Sequence, residues 1–168
     1  LYLAANQKLN REHAAPLDDS YIHFQYAKQL ARGQFFRYHD GDTVSTGATS
    51  VLYPVLLAPL WKVGFRGKRM LWAGHALNLF GFFVALVALW ATLRRLVDDP
   101  WMAWLGSALM VTNGWFLWGV MAAMEIGVVA GALAFTAWAL TAWLQGGRRW
   151  PLLLGLVLLG TSRPEGLF

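Results

Sequence analysis

MLWAGHALNLFGFFVALVALWATL, residues 70–93, contains no charged side chain. A helix of about 24 residues rises about 36 Å at 1.5 Å per residue. That exceeds the hydrocarbon core of a bilayer, about 30 Å. The stretch therefore predicts a membrane-spanning helix, and the rest of the chain is read outward from it. Arg94 and Arg95 end it, and Asp98-Asp99-Pro100 predicts a tight turn. Beyond the turn, Trp101–Val120 predicts a second span and Ile126–Leu144 a third. Gly146-Gly147-Arg148-Arg149 marks the next turn. Pro151 then opens a fourth span, which carries Arg163 and Glu165.

Composition agrees with this class. Of 168 residues, 57% are hydrophobic and 14% charged, where a soluble domain has about 25% charged. Ten Trp and ten Phe fit the aromatic belts of membrane interfaces. With no Cys, disulfides and thiolate metal sites are excluded. The net charge of +5 does not point to nucleic acid, because the cations are spread over loops with no basic stripe or binding motif.

On the N-terminal side, Val51–Val63 is apolar but too short to span, and Pro54 and Pro59 interrupt it. It predicts a re-entrant or interfacial helix. Gln34–Ser50 is rich in Gly, Thr, Ser and Asp and predicts an ordered loop, with turns at Asp40-Gly41 and Thr46-Gly47. Before it stands PLDDSYIHFQYAKQLARG, residues 16–33. Ile22, Tyr26 and Leu30 recur at helical spacing, an Asp at the start is an N-cap signal, and Gly33 is a C-cap. This predicts a short amphipathic helix of about four turns, lying at the interface. Leu1–Ala5 reads as the tail of an earlier span and Asn6–Ala15 as a loop. The expected fold is an all-α polytopic membrane protein with about four spanning helices and an outer loop with short interfacial helices. Residues 1–168 form one transmembrane domain, with residues 6–69 as first outer loop and 70–168 as spanning helices. The chain is expected to be a fragment whose C-terminal remainder lies beyond Phe168.

Counting spans assigns sides. Arg94-Arg95 and Arg148-Arg149 are two spans apart and share a side, which the positive-inside rule makes cytoplasmic. Asp18-Asp19 and Glu125 then face outward. Arg163, about 12 residues past Pro151 and so about 18 Å along its helix, approaches the same outer face. Lys62, Arg66, Lys68 and Arg69 flank the outer end of the first complete span, against the rule's simplest form, although long loops translocate largely regardless of charge.

The chemistry-bearing candidates lie on that face. One Asp suffices for a cap, so the second of Asp18-Asp19 is surplus, and mutual repulsion can ready one acid as a base. Glu125 is a lone acid at a helix start, where it either favours the dipole or serves a ligand. Arg163 and Glu165 either pair with each other at a helix break made by Pro164 and Gly166, or Arg163 recognises phosphate. His23 is one turn from Asp19 and joins the candidates; His75 reads as a packed residue. The four His have no metal-ligand spacing, and Asp40-Gly41-Asp42 lacks the rest of a calcium loop.

Four segments in order, DDSYIHFQYAKQLARGQ (18–34), VSTGATSVLYPVLLAP (44–59), AMEIGV (123–128) and SRPEG (162–166), resemble the GT-C glycosyltransferases. The likeness is greatest to bacterial arabinofuranosyl- and mannosyltransferase-like members, and it covers essentially the whole chain. It implies a polytopic enzyme of the bacterial inner membrane with its active site facing outward. The partners implied are a polyprenyl-phosphate-linked sugar donor, a glycan, lipid or protein acceptor, and the bilayer. Asp18 matches the family's catalytic base and Asp19 its second acid. Glu125 matches an acidic position near the second outer loop that faces the cavity, and Arg163 a basic residue that contacts the lipid phosphate; with Glu165, Tyr21, His23 and Thr49 they are the expected substrate-binding residues. No cofactor is fixed; some members use a divalent metal, which here would sit on Asp18 and Asp19. The chain departs from the protein mannosyltransferase branch in having Asp-Asp for Asp-Glu, and Thr and Ser where that branch often has Lys-Pro-Pro. The acceptor therefore cannot be carried over. The competing expectations are a multi-spanning transporter, which calls for midplane charges and an inverted repeat, and a non-catalytic scaffold in which Asp18 is only a cap.

Overall fold

The computed structural model describes residues 14–45 and 47–163. Among these the chain is all helical, with seven helices: α1 (Asp19–Ala31), α2 (Leu52–Lys62), α3 (Lys68–Leu96), α4 (Pro100–Thr112), α5 (Gly114–Val120), α6 (Ile126–Leu144) and α7 (Trp150–Ser162). The expected tail at Leu1–Ala5, most of the 6–15 loop, Thr46 of the second turn, Pro164 and Glu165 lie outside the described residues.

Two helices, α3 and α6, are long and apolar enough to cross a membrane. Only 28% and 33% of their most apolar stretches are buried. A soluble protein rarely leaves such continuous apolar surface to water, so the pair suits a lipid environment. The α3–α6 contact is the most extensive in the molecule, and small residues make it possible. Gly74, Asn78, Gly81, Ala85, Ala88 and Thr92 form the buried stripe of α3. Gly127 and Gly131, spaced G-x-x-x-G, face it on α6. A Cβ on Gly81 would collide with the Gly127 carbonyl, and one on Gly127 with the Asn78 carbonyl. The backbones touch, which is how apolar helices associate where lipid removes the hydrophobic drive. Farther along, Gly155 of α7 rests on Thr136 of α6.

The expected second span is divided. Asn113 takes an extended conformation (φ −73°, ψ 101°), and its Oδ1 accepts from the Phe116 N–H at 3.0 Å. An Asn side chain that competes for backbone N–H groups favours a cap over a helix interior. One apolar run therefore becomes α4 and α5. They run back along α3, with Trp104 on Trp90 and Phe116 on Phe82. The fourth expected span appears as α7, 13 residues, about 20 Å long.

Other expectations hold locally. Asp99 caps α4 through the Trp101 N–H, 2.9 Å. Gly33 is left-handed (φ 83°), and Gln34 N–H donates to the Gln29 carbonyl, 2.9 Å, closing α1. Asp18 holds the N-cap position of α1, but its side chain caps nothing. The two ends of the α3–α6 pair are chemically distinct. Arg95 and Gln145 exchange hydrogen bonds at one end (3.1 and 3.4 Å), beside Arg94 and ahead of Arg148-Arg149. Asn78 meets Gly127 toward the other.

Candidate functional site

At that second end, the MAAME turn (121–125) between α5 and α6 is held from three directions. Ser20 of α1 donates to the Ala122 carbonyl, 2.8 Å. The Tyr53 hydroxyl of α2 donates to the Ala123 carbonyl, 2.9 Å, and accepts from Asn78 Nδ2 of α3, 2.9 Å. Asn78 Oδ1 accepts from the Gly127 N–H, 2.7 Å. All three side chains are buried. Burial, and then the Glu125 charge, push the Tyr53 hydroxyl far above its ordinary pKa, against the Asn78 hydrogen bond, so it stays a neutral donor. Ala123 is left-handed at φ 57°, a conformation costing an L-residue about 1–2 kcal/mol. The surrounding bonds maintain it and present the next acid.

That acid, Glu125, has no exposed surface. Its Oε1 accepts from Arg163 Nε at 3.0 Å and from the Thr49 hydroxyl at 3.2 Å, with Arg163 Nη2 also at 3.0 Å. His23 Nε2 stands 2.9 Å from Oε2. At that separation Nε2 is the nearest donor to Oε2, while His23 Nδ1 has no hydrogen-bond partner among the described residues. Thr49 also meets His23 Nε2, 3.3 Å. With the Thr49 proton on Glu125, the ring N–H of His23 donates to the Thr49 oxygen. Burial alone would raise the Glu125 carboxyl. The His23 hydrogen bond, its backbone hydrogen bond, the His23 charge and the Arg163 hydrogen bond outweigh burial and lower it to about 2. Glu125 is therefore a carboxylate at neutral pH.

The site thus gathers four expected residues: His23 from α1, Thr49 from the 34–50 loop, Glu125 from the α5–α6 turn and Arg163 from the end of α7. The loop is tied to α7 by the Val51 N–H on the Thr161 carbonyl, 3.1 Å. Arg163 pairs with Glu125, 38 residues away in sequence, where a local pair with Glu165 was the simpler alternative. Asp18 and Asp19 stand exposed at the start of α1, with no side-chain hydrogen bond or ion pair among the described residues. Asp19 shares its α1 face with His23, one turn on. Tyr21 turns aside: its hydroxyl accepts from the Ala15 N–H, 3.1 Å, and its ring meets Phe24 edge-on. Glu165 lies outside the described residues.

Among the described residues no three His, Cys, Asp or Glu side chains are grouped to hold a metal. Asp18 and Asp19 alone offer two carboxylates, a fit only for a hard cation that keeps most of its waters. Sequence reasoning missed Ser20, Tyr53 and Asn78. The visible signal was Asn78, an amide in an uncharged span, where a polar side chain must find a partner.

An apolar groove of about 350 Å³ is lined by Leu52, Leu56, Phe80, Val84, Phe135 and Leu158 among others. It lies where α2, α3, α6 and α7 meet, and Val128 on its wall is one turn from Glu125. The arrangement suits a ligand with a polar hydroxylated or anionic head and an apolar tail. Of the cluster's two charged partners, the Arg163 side chain is 40% exposed and Glu125 is fully buried. No protein-family model, curated protein or solved structure matches the chain.

Proposed function

We propose that this chain belongs to a membrane glycosyltransferase that moves a sugar from a polyprenyl-phosphate donor to an acceptor hydroxyl at the extracytoplasmic face. The observation that carries the reading is the Glu125–Arg163–His23–Thr49 cluster one helical turn from the wall of an apolar groove. The groove is suited to an isoprenoid tail and the cluster to a sugar phosphate. In this reading α4 with α5, and α7, complete four crossings with α3 and α6. The Arg94-Arg95 and Arg148-Arg149 end is cytoplasmic in a bacterial inner membrane, and the cluster faces outward.

Asp18 takes the proton from the acceptor hydroxyl, whose oxygen attacks the anomeric carbon from the side opposite the phosphate. The anomeric C–O bond breaks with inversion, and polyprenyl phosphate leaves with the bonding pair. Arg163 offsets the charge on that leaving phosphate. Thr49, which is exposed, accepts from a sugar hydroxyl, Glu125 holds Thr49 and Arg163 in place beneath it, and Asp19 orients the acceptor. A base positioned this way contributes about 10²–10⁴-fold. The exposure of Asp18 and Asp19 is consistent with groups that take their partners from substrates. A transport mechanism would use charges near a helix break. The Asn113 break has no ionisable side chain between Pro100 and Met124, so it does not favour that reading.

The test is transfer from radiolabelled polyprenyl-phosphate sugars by full-length protein in membranes, wild type beside Asp18→Asn. Loss of transfer in the variant at equal expression and equal unfolding midpoint is expected. Unchanged transfer removes Asp18 from the mechanism, and no transfer from any donor by wild type overturns the reading.

A further inference from the structure

A second polar surface lies at the same end of α3, outside the cluster. The α2–α3 connection, Lys62 to Arg69, carries four cations, and no acid occurs between Asp42 and Asp98. Lys62, Arg66, Lys68 and Arg69 are all exposed. The patch is assembled from three elements. Arg66 lies over the Trp61 ring at 4.5 Å from its centroid, and Arg32, from the end of α1, approaches the same ring at 5.4 Å. Cation–π contact with an indole holds guanidinium groups that would otherwise be loose. Arg32 also pairs with Asp40, 3.3 Å. The tip between the cations is apolar: Val63 is 74% exposed and Phe65 39%. Left-handed Gly64 (φ 107°) and Gly67 (φ 55°) make the bend that puts them there.

Cations alone fit any anion. Cations around two outward-facing apolar side chains fit an anionic surface with a hydrocarbon layer beneath it. The connection also runs directly into Lys68, the first residue of the longest apolar helix. If α3 crosses a membrane, this loop stands at headgroup level. We infer that the Trp61–Arg69 connection, with Arg32, is a binding surface for the phosphate headgroups of anionic phospholipids in the leaflet at the Glu125 end. The inference rests on α3 being a span and not on sugar transfer. It also accounts for four cations where the positive-inside pattern expects few: they serve the leaflet, not topology.

The test uses full-length protein in nanodiscs of phosphatidylcholine with 30% phosphatidylglycerol (about that fraction gives a strongly anionic leaflet). Trace photoreactive-headgroup phosphatidylglycerol or phosphatidylcholine is added, and adducts are mapped by peptide mass spectrometry. Each cation near an anionic surface is worth about fivefold in affinity. Adducts on residues 61–69 are expected at least about fivefold more often from the anionic probe than from the zwitterionic one. Arg66→Gln with Arg69→Gln should lower that preference at least about fivefold, and Arg66→Lys with Arg69→Lys should keep it. Val63→Ser with Phe65→Ser should lower labelling by both probes. The unfolding midpoint of each variant checks that it is folded. Equal labelling by the two probes, a preference undiminished in the double Gln variant, or full displacement by inorganic phosphate or by polyprenyl phosphate at equimolar protein each overturns the assignment. The last two would make the patch a free-phosphate site or part of the donor site.

Discussion

Glu125→Gln removes one charge and almost no volume from the centre of the site. A carboxyl held at about 2, against an ordinary 4.5, prefers its charged form by about 3 kcal/mol more in the fold than in the unfolded chain. Gln is the neutral isostere, so its cost at pH 7 should be about 3 kcal/mol. Gln can still accept from Arg163 and Thr49 at Oε1, which reduces the loss. Its NH₂, if placed at Oε2, would face the His23 ring, which increases it. The assay is reversible denaturation in detergent, followed by the intrinsic fluorescence of the Trp residues. The pH dependence has a fixed sign. The folded-state pKa is depressed, so the contribution is complete above 4.5 and is lost as pH falls toward 2. The difference between wild type and variant should therefore shrink across that window. Arg163→Ala should lose much of its own cost when made in the Gln background, because the two share one interaction. A neutral-pH difference below about 0.5 kcal/mol, the size of an ordinary surface change, would refute the account of a charged, partnered Glu125. So would a difference that stays constant down to pH 2.

Three further outcomes follow from the packing. Gly127→Leu should prevent close approach of α3 and α6 and cost more than about 3 kcal/mol, since a side chain there meets backbone; cross-linking between cysteines placed on the two helices would report the separation. Asn78→Ala frees the Gly127 N–H and one lone pair on the Tyr53 hydroxyl, at about 2–4 kcal/mol, read by the same unfolding assay. Asp18→Asn and Asp19→Asn should leave stability within about 0.5 kcal/mol, because neither carboxylate has a partner among the described residues; a larger loss would give them a structural role.

What the sequence made legible was which residues belong to the site, more than how they meet. An isolated charge in an apolar chain must be satisfied by something, so Glu125 and Arg163 stood out, and span counting put them at one end. Thr49 came through the resemblance and His23 through its spacing from Asp19. Their convergence on a single carboxylate depends on tertiary approach, which no local spacing encodes. The Asn113 break was readable in retrospect: T-N-G inside an apolar run is a turn signal, and hydrophobicity alone masked it. The cap assigned to Asp18 failed because a favourable residue type does not guarantee the side-chain rotamer that makes the bond. The glycines of the α3–α6 contact appear in sequence as small residues at every third or fourth position, a pattern hidden by the larger neighbours that face outward.

The cluster carries features that stability alone does not explain. A left-handed Ala123 costs free energy that Gly at the same position would not. A buried imidazole, His23, leaves Nδ1 without a hydrogen-bond partner. Unsatisfied buried polar atoms each cost about 1–3 kcal/mol. Both costs fall at one point, on His23 and on the turn that presents Glu125 to it. Apolar side chains of similar volume would pack α1, α6 and α7 at this point without either of them. The helices below already associate through glycine contacts that need no polar group. The polar cluster is therefore separable from the glycine contact that holds α3 to α6.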